Sequence, residues 1–261
     1  MKSSRPIVLC FSGHDPSGGA GIQADIETLL SHHCHAASII TALTEQNTQN
    51  VKKLIPQPAA DIICQAETLF SDFNIAAIKI GLIGHRDTAE AIEHILKQCS
   101  GIPVVLDPVL AAGGGTDLAG QSLIGTIVER LLPLTQVLTP NSEEARRLSG
   151  LTDLPDCAHW LQEKGTSHVL ITGTHEQSEN VHNQLFMPDN LSETFTWERL
   201  PYSYHGSGCT LASAIAGLLA QGLDVFTAVH EAQEYTWNAL AAAYKPGRGQ
   251  HNPDRLFWKD A

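Results

Sequence analysis

Short apolar runs alternate with amphipathic stretches along the whole chain. Ile7-Val8-Leu9-Cys10-Phe11 runs into Ser12-Gly13, the pattern of a parallel strand buried on both faces. The same signature recurs over 37–43, 76–81, 103–108, 136–140 and 169–173, each run stopping at glycine, proline or a polar cluster. Helical patterns lie between the runs. Ile22, Ile26, Leu29 and Leu30 share one face, and further helices are predicted over 58–70, 88–98, a stretch up to 132, 143–148 and 157–165. Residues 181–200 alternate as one or two antiparallel strands would. Two long helices follow over 209–221 and 225–244, the second with Val225, Val229, Ala232, Tyr235 and Ala239 inward, and a loop-like tail begins at Lys245.

Strands that alternate with helices predict an α/β fold, a central mostly parallel sheet with helices on both faces. Neither a linker nor a repeat interrupts the pattern, so residues 1–261 read as a single domain. In such sheets ligands lie beyond the carboxyl ends of the strands. The polar, glycine-bearing segments fall there: Gly13-His14-Asp15, 44–48, Asp107-Pro108, Thr139-Pro140-Asn141 and Thr172-Gly173.

Composition narrows the partners. Hydrophobic residues at 43% and charged residues at 17% are those of a folded protein. A net charge of −12 with no basic cluster argues against nucleic acid and against an anionic membrane surface. No apolar run approaches the roughly 20 residues that cross a bilayer, and the run after Pro6 is too short for a signal peptide. The 6 cysteines are scattered without a CxxC, which fits reduced thiols and a cytoplasmic setting.

The strongest local signal is Tyr204-His205-Gly206-Ser207-Gly208-Cys209-Thr210 running into a helix pattern marked by Leu211, Ile215, Leu218 and Leu219. Glycines let an anion approach the backbone N–H groups, and a helix start adds partial positive charge. Cys209 then sits at the rim of an anion hole, where a helix N-terminus lowers a thiol pKa. It reads either as a base or nucleophile, or as a small buried residue. His205 also raises a Cys–His hydrolase reading.

Asn141-Ser142-Glu143-Glu144 is at once a helix capping box and a candidate ligand set. Together with Asp107 at a neighbouring strand end, it could hold a hydrated Mg²⁺ whose remaining ligands are phosphates. Gly19-Ala20-Gly21-Ile22-Gln23-Ala24 has the outline of a nicotinamide-dinucleotide fingerprint, but Pro16 and its neighbours lengthen the turn, so close packing or a lid explains the glycines equally well. His32-His33-Cys34-His35 points its side chains in different directions and reads as surface rather than metal site.

The whole constellation resembles the ribokinase-like superfamily, and within it the hydroxymethylpyrimidine/phosphomethylpyrimidine kinases of thiamine biosynthesis. The resemblance is carried by the stretch 13–25, by 41–48, by Lys79-Ile80-Gly81, Asp107-Pro108-Val109, Thr139-Pro140-Asn141 with Glu144, and His205-Gly206-Ser207-Gly208-Cys209-Thr210-Leu211. It implies a sheet of about eight strands with ATP and substrate in a groove above the strand ends. It also implies phosphorylation of an aminopyrimidine alcohol and then of its monophosphate, with ATP and Mg²⁺, in a protein that forms a homodimer.

By that likeness Cys209 takes the hydroxymethyl proton, and the backbone of Gly206, Ser207, Gly208 and Cys209 stabilises the transferring phosphoryl group. Asn141 and Glu144 serve the ATP phosphates and the metal, with Asp107 nearby. Gly13, Asp25, Gln46 and Leu82 match substrate-site positions. An amide such as Gln46 suits an aminopyrimidine, since it donates and accepts along one ring edge. Thr172-Gly173 stands at the ATP site where many relatives carry a lysine. Leu82 replaces a common methionine, and Gly113-Gly114-Gly115 lacks the common Ser-Gly form. Two competing readings are a pyridoxal or pyridoxine kinase on the same fold and a non-catalytic binder of a vitamin precursor.

Overall fold

The computed structural model describes residues 5–259. The chain runs β1 (Ile7–His14), α1 (Gly21–Ser31), β2 (His35–Gln46), β3 (Val51–Pro56), α2 (Ala59–Asp72), β4 (Ile75–Ile80), α3 (Arg86–Leu96) and β5 (Val104–Leu106). It continues through α4 (Gln121–Thr126), β6 (Val137–Leu138), α5 (Ser142–Ser149), α6 (Leu154–Glu163), β7 (His168–Ile171), β8 (Asn180–Phe186) and β9 (Ser192–Glu198). The helices α7 (Ser207–Ala220) and α8 (Val225–Ala241) follow.

All strands join one 9-stranded sheet in the order β3-β2-β1-β4-β5-β6-β7-β8-β9. The run from β2 through β1 and β4 to β7 is parallel, and β3, β8 and β9 add antiparallel edges. Alternation along β1 sends Leu9 and Phe11 to one core and Val8 and Cys10 to the other. The first core packs under α2 to α6, and the second under α1, α7 and α8. From β1 the chain moves outward to β2 and then returns on the other side to β4. The order therefore switches at β1/β4, where an open α/β sheet leaves a crevice above its strand ends.

The α/β architecture and the predicted strands and helices appear as expected, with differences that matter for the site. The strand expected over 37–43 runs on to Gln46 and turns back as β3, a hairpin the polar composition of 44–53 concealed. Ile26 and Leu30 are exposed; the buried face of α1 is Ile22, Ala24, Asp25, Thr28 and Leu29, because a buried ion pair rather than an apolar contact occupies its centre. The helix expected up to 132 is α4 continued by a π turn (Ile127–Leu131) and a 3-10 turn that Pro133, lacking an N–H, brings to a stop. The tail is not loose. Arg255 within it is 2% exposed and bonded into the site region.

Candidate active site

The glycine-rich loop after β1 is organised by Asp15. Its Oδ1 accepts from the Ser17 N–H at 2.8 Å and the Ser17 hydroxyl at 2.7 Å, and its Oδ2 accepts from the N–H groups of Gly19 at 3.0 Å and Ala20 at 2.9 Å. His205 Nε2 lies 2.8 Å from the same Oδ2. Burial alone would raise the Asp15 pKa, but the hydrogen bonds from His205 and Ser17 prevail and hold it at about 2.

Gln46 meets the same His205 Nε2 at 2.9 Å. A nitrogen that donates to Asp15 cannot also accept, so the amide oxygen of Gln46 is the atom assigned to face His205. Its NH₂ then faces Thr44 Oγ1 at 3.0 Å, and the Thr44 hydroxyl donates to the His14 carbonyl at 2.9 Å. The single Nε2–H of His205 is then shared between Asp15 and Gln46. His205 makes no hydrogen bond to Cys209 among the described residues; its Nε2 is taken up by Asp15 and Gln46.

Three backbone segments converge beside this loop. Gly206 takes φ +85°, and a Cβ there would lie 2.0 Å from the Gly19 carbonyl oxygen, so only glycine fits. The N–H of Thr210 is bonded to the Gly206 carbonyl at 3.0 Å, which leaves the N–H groups of Ser207, Gly208 and Cys209 outside the helical ladder at the start of α7. Gly21, which opens α1, directs its N–H to the Cys209 sulfur. Gly13 ends the set, with Leu82 laid across it: a Cβ on Gly13 would come within 2.7 Å of Leu82 Cδ2.

The Cys209 thiol differs from expectation. Burial pushes its pKa up to about 11; Lys79 opposes that shift, while the charges of Asp107 and Asp25 add to it. The helix start is real, but desolvation of a thiolate outweighs it in the unliganded site. Asp107 lies beside this turn: a Cβ on Gly208 would come within 3.5 Å of its Oδ2.

Asp25 also requires a correction. It does not line the crevice but lies wholly buried beneath it, in an ion pair with Lys79 at 2.8 Å. Ser12 Oγ donates to its Oδ2 at 2.5 Å and Ser213 Oγ to its Oδ1 at 2.7 Å, while Lys79 also donates to Ser12 Oγ at 3.0 Å.

The other two carboxylates are Asp107, beside Gly208 at the start of α7, and Glu144 at the start of α5. Asn141 caps α5: its side chain accepts from the Glu144 N–H at 2.9 Å, and Glu144 Oε2 accepts from the Asn141 N–H at 3.0 Å. Glu144 Oε1 accepts from the Leu110 N–H at 3.2 Å. The capping box and the candidate ligand are thus one arrangement. Burial and then the charge of Asp107 raise the Glu144 pKa to about 8, and burial foremost lifts Asp107 to about 6. Neither carboxylate has an ion-pair partner among the described residues. Two buried carboxylates that repel one another, held open by backbone donors, fit a divalent cation that takes few protein ligands. No group of three or more such side chains occurs among the described residues.

Thr172 bridges to Asn141, and the Gly173 N–H donates to Asn183 Oδ1 at 3.0 Å. A Cβ on Gly173 would lie 2.2 Å from the His182 carbonyl oxygen, so this glycine serves the packing of β7 on β8. The loop carrying Gly113 and Gly114 rests on the β2–β3 turn: a Cβ on Gly114 would meet the Gln49 carbonyl oxygen at 2.3 Å. Gly249 abuts the Thr48 carbonyl from the tail at 2.0 Å by the same measure. These contacts narrow the cleft between Gln46, Gly113 and His205.

The sequence carried Lys79 and Asp15 inside motifs without assigning them tasks, and His205 only as a partner for Cys209; Arg255 was missed. The signal for Lys79 was a lysine between Ile78 and Ile80 in a buried strand. Arg255 donates to the Gly19 carbonyl at 2.5 Å, the Thr210 hydroxyl at 2.9 Å and Glu27 at 3.0 Å, tying the glycine loop to α7. Nothing in the local sequence of the tail announces it.

Comparison with known proteins follows the same geometry. Residues 15–254 match the family model described as phosphomethylpyrimidine kinase. A hydroxymethylpyrimidine/phosphomethylpyrimidine kinase of Rhizobium meliloti is 35% identical over 264 residues, covering 97% of this chain and 99% of its own. That of Haemophilus influenzae is 35% identical, covering 94% of each. Among solved structures, a Bacillus subtilis pyridoxal kinase in complex with ADP has a TM-score of 0.90 at 27% identity, covering 98% of this chain and 99% of that one. A phosphomethylpyrimidine kinase of Clostridium difficile has a TM-score of 0.79 at 30% identity, covering 91% and 100%.

Proposed function

The chain belongs to the phosphomethylpyrimidine kinase family, and we propose from its site that it transfers phosphoryl groups from Mg·ATP to 4-amino-5-hydroxymethyl-2-methylpyrimidine and then to the monophosphate. The observation that carries the reading is the Gly206–Cys209 anion hole facing the cation-free pair of Asp107 and Glu144. The first supplies N–H donors to a transferring phosphoryl group and a sulfur to receive a proton; the second needs a cation. A hydrolase or a pure binder requires neither pairing.

In this reading the pyrimidine lies over Gly13 and Leu82, with its polar edge toward Gln46. The directional chain from His205 through Thr44 presets which face of that amide is offered. The hydroxymethyl oxygen attacks the γ-phosphorus in line as its bond to the β,γ-bridging oxygen breaks, and the hydroxyl proton passes to Cys209 as thiolate, the thiol having first given its own proton to solvent. Ser207, Gly208 and Cys209 offer N–H groups to the equatorial oxygens. Asp107 and Glu144 would hold Mg²⁺, which supplies charge neutralisation between the phosphates. Removing the negative charge of Asp107 from the field of Cys209 in this way also eases the sulfur's task, since that charge is one of the causes holding its pKa up. The second acceptor is a phosphate monoester, already ionised at neutral pH, so its step needs the anion hole more than the sulfur.

A second reading, pyridoxal as acceptor, is favoured by the pyridoxal kinases among the similar structures. Incubation with Mg·ATP and either acceptor separates the two: sequential mono- and diphosphate from the pyrimidine supports the first, and pyridoxal phosphate alone supports the second. No product from either would leave the binding-protein reading in first place. We also read the protein as a cytoplasmic homodimer, which sedimentation at micromolar concentration and fractionation would test; no helix among the described residues is long and apolar enough to cross a membrane.

A further inference from the structure

We infer that the buried Lys79–Asp25 pair is the positioning device of this centre: it locks the first turns of α7 to the strand ends and keeps a permanent positive charge beneath the anion hole. The inference rests on the phosphoryl-transfer reading above. Both side chains have zero exposure, and their contacts span four elements. Ser12 comes from β1, Asp25 from α1, Lys79 from β4 and Ser213 from α7. Ser213 is one turn beyond Cys209, on the same face of α7. Its bond to Asp25 therefore sets how far the anion-hole turn is rotated relative to Gly13 and Gly21.

The chain makes room for this pair. A Cβ on Gly81 would come within 2.5 Å of Lys79 Nζ and 2.9 Å of Ser12 Oγ, so a side chain there would displace the ammonium. Stability alone does not call for such an arrangement, because replacing a buried ion pair by apolar groups of similar volume is commonly neutral or stabilising. The field of the ammonium, by contrast, has a use. It acts through a low-dielectric interior, from a position fixed by Asp25 and Ser12 at the strand ends below α7. Lys79 itself stays charged: burial works against it, but Asp25, Cys209 and Asp107 together raise its pKa.

The test pairs a double substitution with a mild single one. In Lys79→Met/Asp25→Leu both charges go at once, so no unpaired ion is left behind. Its melting temperature is expected within a few degrees of wild type, with KM for ATP and for the acceptor within about threefold and kcat lower by about 100-fold or more. Ser213→Ala, which keeps the ion pair, is expected to lower kcat by about tenfold or more, the worth of one hydrogen bond to a charged group. A folded double variant with kcat near wild type overturns the inference, as does a loss that falls in KM alone, which would make Asp25 a direct substrate contact. If the double variant does not fold, an unchanged kcat in Ser213→Ala overturns it. Pyridoxal is run in parallel. Wild-type activity on pyridoxal alone would overturn the pyrimidine reading and still decide this one through the same kcat ratios, whereas a wild type inert on both acceptors overturns both.

Discussion

The two walls of the crevice treat buried charge in opposite ways. On the wall built from β1, α1 and the start of α7, each buried ion has its partner: Asp15 has His205, Asp25 has Lys79 and Arg255 has Glu27. At the end of β5 and the start of α5, Asp107 and Glu144 are buried without an ion-pair partner among the described residues, and Glu144 takes only backbone donors. Pairing makes a wall rigid before any ligand arrives. Leaving carboxylates unpaired stores an electrostatic cost that an incoming cation relieves. The first wall is therefore preorganised; in the reading proposed above, the second would be completed by a bound cation.

Breaking the first wall should be the more damaging. Lys79→Met alone strands Asp25 in the interior and is expected to cost about 3–5 kcal/mol in denaturant unfolding; a loss under about 1 kcal/mol would mean the pair is not what holds that wall. Completing the second wall comes next in size. Mg·ADP at a hundredfold excess over its Kd should stabilise the wild type by about 2.7 kcal/mol, and Asp107→Asn should remove most of that protection in a thermal shift. Equal protection of both proteins would take Asp107 out of the metal site.

The pH dependence separates the walls by sign. Asp107 titrates in the folded protein at about 6, above its ordinary value, so its contribution is full below about pH 4 and is lost as pH rises through about 6. The metal-free wild type should lose about 3 kcal/mol by pH 8 relative to Asp107→Asn, as followed by unfolding in a chelator. Asp15 behaves in reverse. Its folded pKa of about 2 lies below the ordinary value, so its stabilisation is full above about pH 4 and is lost as pH falls toward 2. Asp15→Asn should remove about 1 kcal/mol of acid-range pH dependence once solvent screening at the loop is discounted. Profiles that slope the same way for both residues would erase the contrast.

Much of this was legible in the chain. Apolar runs ending in polar clusters placed the strands and their ligand-bearing ends, and Gly206 to Cys209 announced the anion hole through glycines before a helix. The Asn141–Glu144 spacing announced the capping box, which the structure realises in full. The β2–β3 hairpin was less legible, because residues 44–53 are mostly polar and an edge hairpin over a cleft has no continuous apolar face to display. The state of Cys209 was misread from local sequence. A helix start is a property of neighbours in the chain, whereas the burial and the two carboxylates that raise the thiol come from elsewhere in the fold.

That division is general for this protein. Periodicity, glycine placement and capping are short-range, so the sequence by itself determined the α/β layering, the sites of the loops and the backbone donors they expose. Which charges meet is long-range. Asp25 and Lys79 are 54 positions apart, and Ser213 lies 188 beyond Asp25. Arg255 reaches back 236 positions to Gly19. Only the packed sheet and helices bring such groups within hydrogen-bond distance and exclude water from them. Only there does a lysine in an apolar strand become a fixed charge paired with Asp25, and only there are Asp107 and Glu144 buried close enough for the charge of Asp107 to raise the Glu144 pKa.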